Sequence, residues 1–94
     1  MIRIYRPEKT KVTLRGHAGS AEHGHDLICA AVSALVLTLA YNVADFPQPK
    51  LWLDPGDTQL ACPAAAEAVQ AFDCIWKGFQ LLAELYPEYI QIEN

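Results

Sequence analysis

The sequence predicts an α+β fold, a two-layer α/β sandwich in the order β-β-α-β-β-α-β, with two helices packed on one face of a mostly antiparallel sheet. Three observations carry that prediction. Short alternating segments come in pairs, at Ile2–Arg6 with Lys11–Arg15 and at Leu51–Leu53 with Thr58–Cys62, each pair close enough to form a hairpin. Two longer stretches, Asp26 to Asp45 and Pro63 to Tyr86, instead repeat apolar residues at the spacing of a helix face. A final alternating stretch, Tyr89-Ile90-Gln91-Ile92, supplies a last strand.

Taken in order, Ile2, Ile4 and Tyr5 alternate with Arg3 and Arg6, and Pro7-Glu8-Lys9 is turn material. Val12 and Leu14 alternate with Lys11, Thr13 and Arg15, and Gly16 ends the second strand. Residues 17–25 hold glycines, three histidines and little that is apolar, so they read as a loop. Asp26 can cap the next helix, its carboxylate accepting from the free N–H groups of the first turn. Ile28, Val32, Leu35, Leu39 and Val43 mark one face of that helix. Ala30, Ala31, Ala34 and Ala40 fill much of the rest, so the helix is either central or shares a face with a second subunit. It should end near Asp45, ahead of Pro47 and Pro49. Asp54-Pro55-Gly56-Asp57 is a strong turn signal between the third and fourth strands. Pro63 suits the first turn of the second helix. Val69, Phe72, Trp76, Phe79, Leu82 and Ala83 then share a face until Pro87 stops the helix.

The chain of 94 residues reads as one domain with a modest core, which dimerisation would help. A net charge of −4 with seven scattered basic residues argues against a duplex-binding module, so no direct nucleic-acid partner is expected. Nor do basic residues interleave with Trp52, Trp76, Phe72, Phe79 and Tyr86, which read as core or interface rather than a base-stacking platform. Three cysteines, Cys29, Cys62 and Cys74, without a Cys-x-x-Cys pair do not form a disulfide framework or a zinc ribbon. Reduced thiols in a cytoplasmic protein fit better. The N-terminus alternates at once, unlike a signal peptide. The longest apolar run, Leu27 to Ala40, is too short to span a bilayer.

The chemistry concentrates in Gly16-His17-Ala18 and Gly24-His25-Asp26-Leu27-Ile28-Cys29. With Asp26 as cap, Cys29 is the third helical residue. There the helix dipole and unpaired N–H groups favour a thiolate and should lower its pKa. His17 lies beyond the second strand, at the other end of the same loop, where it could serve as base to that nucleophile. The alternative is a small core cysteine beside Ala30 and Ala31 and a turn histidine without a partner. Asp26 could orient the histidine as well as cap. Ser33, one turn after Cys29, could bond within the site or back to its own helix. Cys62 and Cys74 lack such surroundings and read as core. With His17 and Cys29, His23 and His25 make a possible zinc set, the second chemistry the residues allow. A non-catalytic dimeric interaction domain is a third reading.

Gly16-His17-Ala18, Gly24, Asp26 and Cys29-Ala30-Ala31-Val32-Ser33 resemble the signature of the ribosomal-processing cysteine proteases, the Prp family. Gly78-Phe79 and Tyr86-Pro87 followed by Ile90 resemble its weaker C-terminal pattern. The resemblance implies a homodimeric endopeptidase without a cofactor, working through a Cys-His dyad and an acyl-enzyme. Its partner would be a ribosomal protein precursor of the large subunit, from which it removes a short N-terminal extension. It implies Cys29 as nucleophile and His17 as general base and later acid. Asp26, Ser33, Ala30, Gly16 and Gly24 are supporting positions, and the N–H groups near Cys29 and Ala30 are candidate oxyanion donors. His23 and His25 are not part of the signature.

Overall fold

A computed structural model describes residues 1–19 and 26–93. The elements run β1 (Ile2–Glu8), β2 (Lys11–Arg15), α1 (Leu27–Val43), β3 (Lys50–Asp54), β4 (Asp57–Ala61), α2 (Ala66–Leu85) and β5 (Ile90–Glu93). The sheet has the order β3-β4-β2-β1-β5. Its pairings are antiparallel except β1 with β5, which is parallel. A parallel pair needs a crossover, and here the crossover is the whole chain from β2 through α2. The expected two-layer architecture and element order are those observed.

Register explains where the core sits. Ile4 faces Leu14, Val12 faces Leu60 and Ile2 faces Ile90. Because side chains alternate along a strand, this row points to one side of the sheet, and both helices cover it. Ile4, Leu39, Leu60, Phe72, Phe79 and Val43 are fully enclosed. Gly78 lets the helices approach closely, since a Cβ there would lie 2.9 Å from Leu35 Cδ1.

Several local expectations need correction. Pro7 and Glu8 belong to β1, with the turn at Lys9–Thr10; the register shifts between Tyr5 and Glu8. Proline lacks the N–H that a regular ladder would demand, and an irregular register accommodates it. Pro63 precedes α2 rather than starting it: the helix begins at Ala66 from an N-cap Ala65 with no side-chain cap bond. Cys62 is buried as expected, but Cys74 is exposed on α2. Trp52 is exposed, while Trp76 packs edge-on against Phe79 at 6.4 Å and takes the Arg6 guanidinium over its ring.

Two apolar surfaces remain uncovered. All of β3 is exposed, Leu51, Trp52 and Leu53 included. On α1 the buried stripe is Val32, Val36, Leu39, Ala40 and Val43, while Leu27, Leu37 and Tyr41 face outward at 81, 58 and 81% exposure. The helix is therefore not central. Among the described residues no helix is long and apolar enough to cross a membrane.

Candidate active site

The site is assembled where three chain segments meet: the end of β2, the start of α1 and the β3–β4 turn. Asp26 caps α1 as expected, its Oδ1 accepting from the N–H groups of Ile28 and Cys29, both at 3.0 Å. This single carboxylate therefore satisfies two of the first-turn donors and fixes Cys29 as the third helical residue. The next donor, Ala30 N–H, bonds to the Asp26 carbonyl at 3.0 Å. The Cys29 and Ala30 N–H groups, expected as oxyanion donors, are both occupied by Asp26.

A different backbone group reaches the sulfur. Ala18 N–H donates to Cys29 Sγ at 3.3 Å. Ala18 is itself buried, so the segment Gly16-His17-Ala18 is laid directly on the nucleophile candidate. Around it, Gly16 N–H bonds to the Gly56 carbonyl at 3.0 Å, and the Met1 amino group donates to the His17 carbonyl. Gly16 has φ +94, and a Cβ there would collide with the Met1 carbonyl. Only glycine meets both demands.

The His17 side chain is exposed and lies against the β3–β4 turn; a Cβ on Gly56 would lie 2.8 Å from its Nε2. Among the described residues no hydrogen bond joins this imidazole to the Cys29 thiol. The structure thus brings the backbone of the His17 segment onto Cys29 and leaves the imidazole beside the hairpin. Ser33 is exposed on α1 and has no hydrogen-bond partner among the described residues. Gly24, His23 and His25 lie outside the described residues. Among those described, no group of three or more His, Cys, Asp or Glu side chains is placed to hold a metal.

The electrostatics of Cys29 reverse the expectation from the helix dipole. Its thiol is pushed above the ordinary value, chiefly by desolvation on burial. The Ala18 N–H works in the opposite direction. The Asp26 carboxylate, which stands beside the thiol and carries like charge to a thiolate, raises it further, against a smaller lowering from the Met1 ammonium. A sequence reading sees the dipole but not that the capping carboxylate stands beside the sulfur. Replacing that carboxylate isolates the effect. In Asp26→Asn the amide still caps the helix, but the negative charge is gone. Alkylation of Cys29 by iodoacetamide, followed by peptide mass spectrometry, should then rise at a lower pH than in the parent, with little loss of Tm. An unchanged profile would remove Asp26 as a cause.

A cysteine in a helix's first turn, with a histidine on the segment that donates to its sulfur, is the equipment of a thiol hydrolase. A family model described as Cysteine protease Prp matches residues 1–91. The chain belongs to this family and is a cysteine protease. No curated protein matches the sequence. Among solved structures, the ribosomal processing protease Prp from S. aureus with a covalently linked product peptide is similar, with TM-score 0.83 and 24% identity, over 98% of this chain and 95% of that one. The S. aureus protease with a substrate peptide gives 0.76 and 23% over the same shares. A protein from Streptococcus mutans gives 0.72 and 26%, over 98% of this chain and 90% of that one.

Proposed function

We propose that this chain, acting as one protease domain, is an endopeptidase that removes the N-terminal extension of a large-ribosomal-subunit protein, with Cys29 as nucleophile and His17 as base and then acid. The observation that carries the reading is the 3.3 Å hydrogen bond from Ala18 N–H to Cys29 Sγ, which sets the histidine-bearing segment on the sulfur. The substrate class rests on family membership and on the peptide complexes of the S. aureus protease.

In this mechanism the imidazole accepts the thiol proton as Cys29 Sγ attacks the scissile carbonyl carbon. Because the resting thiol is held above its ordinary pKa, the proton leaves only as the base engages. The carbonyl oxygen becomes an oxyanion, for which Ala18 N–H, the backbone donor that already reaches the sulfur, is the candidate partner. Collapse breaks the C–N bond, and the imidazolium gives its proton to the departing amine. Water, deprotonated by His17, then hydrolyses the thioester, releasing the carboxylate and restoring the thiol.

The enzyme is a homodimer in this reading. Leu27, Ala30, Ala34, Leu37 and Tyr41 recur at helical spacing on the exposed side of α1, a contiguous apolar stripe that a second copy would cover. Because the stripe begins at the turn that bears Cys29, the sites of the two copies would lie close to the interface.

A synthetic peptide that spans the extension and the first mature residues should be cut at one bond by the purified protein, which should sediment as a dimer. His17→Ala should slow that cleavage by about 10²- to 10⁴-fold, the usual share of general acid–base catalysis. A peptide left intact by the parent protein, or cut equally well by His17→Ala, would overturn the assignment.

A further inference from the structure

We propose that the β3–β4 turn is the seat of the His17 imidazole and that Gly56 is a positioning residue for catalysis, an inference that rests on the dyad reading above. The ring lies where a side chain on residue 56 would otherwise be: a Cβ built there falls 2.8 Å from Nε2, 3.3 Å from Cε1 and 3.4 Å from Cδ2. One added carbon would meet three ring atoms at once, so the ring must move away from the turn.

The turn is tied to the strand end that carries the histidine. Gly56 accepts from Gly16 N–H at 3.0 Å. Arg15 and Asp57 are register partners of β2 and β4, and their side chains approach to 4.0 Å. Arg15 and Gly16, the two residues before His17, are therefore joined to Asp57 and Gly56, and the ring lies against Gly56. Gly56 itself has φ +74, the left-handed conformation the turn requires. Its lack of a side chain thus serves two separate purposes, backbone conformation and room for the ring.

Those purposes can be separated by experiment. Asparagine tolerates the left-handed conformation far better than alanine, but both introduce the same Cβ. Steady-state cleavage of the peptide substrate and Tm are measured for the parent, Gly56→Ala, Gly56→Asn and His17→Ala. The proposal expects kcat to fall about a hundredfold in both Gly56 variants, the scale of a 1 Å misplacement of a catalytic group, with KM little changed. Tm should fall less for Gly56→Asn than for Gly56→Ala. Either Gly56 variant working at the parent's rate while His17→Ala is inactive would overturn the seat and leave the dyad standing. A loss in Gly56→Ala that Gly56→Asn restores would assign the effect to backbone strain and also overturn it. Full activity in His17→Ala would remove the dyad, and the seat with it.

Discussion

Cys29→Ala should leave a folded protein that no longer cuts its peptide. Removing the nucleophile of a covalent protease lowers kcat by about a millionfold, which places the variant below detection in an ordinary cleavage assay. The fold should survive because the sulfur carries little of it. Cys29 is half-buried at the rim of the core, and its Sγ accepts one backbone bond, from Ala18. Leaving that N–H unpaired costs about 1–3 kcal/mol at most. The Asp26 cap bonds to the Ile28 and Cys29 backbone and does not depend on the thiol. Circular dichroism and Tm close to the parent, together with lost cleavage, are the expected pair of results. Cys62→Ala and Cys74→Ala should both keep cutting, since one sulfur lies in the core and the other on the outer side of α2.

The largest effect on stability should come from Phe79→Ala. Phe79 is fully enclosed between α2, α1 and the sheet, and Trp76 meets its ring edge-on at 6.4 Å with an interplanar angle of 87°. Truncating a buried phenylalanine costs about 3–5 kcal/mol, through lost transfer energy and the cavity left behind. Domains of this size have a total stability of about 5–15 kcal/mol, so the variant retains only a fraction of it. A Tm lower by about 4–8 °C for each kcal/mol is expected. The site cannot relieve the cavity by sliding the helices together, because Gly78 and Leu35 are already in close approach one residue away. A Tm within a few degrees of the parent would mean that the α2 face is looser than its burial indicates.

The fold was largely legible because its signals are local. The alternation of Ile2 and Ile4, the helical spacing of Phe72, Trp76 and Phe79, the Asp26 cap and the turn at Pro55-Gly56 each act within a few residues of themselves. What could not be read depends on residues far apart in sequence. Trp52 reads as core or interface, yet β3 is the outer strand of the sheet and all five of its residues are exposed. Cys74 has the composition of a core residue and the wrong helical phase. At the site, the cap of α1 and the position of Cys29 followed from sequence, but the sign of the thiol shift did not. The dipole argument omits the desolvation of the sulfur and the carboxylate that caps the same turn. The contact between His17 and Gly56 joins positions 39 residues apart, the difference of their two numbers. Gly56 carried a visible turn signal, and nothing in that signal said what the turn would touch.

The central claim is that Cys29 alone forms the covalent bond to substrate. A peptide that ends in a chloromethyl ketone after the extension sequence tests it directly. The parent should gain the mass of one peptidyl group, mapped to Cys29, and His17→Ala should gain it much more slowly. A label on Cys62 or Cys74 that abolishes cleavage, or cleavage that continues in protein fully labelled at Cys29, would contradict the account.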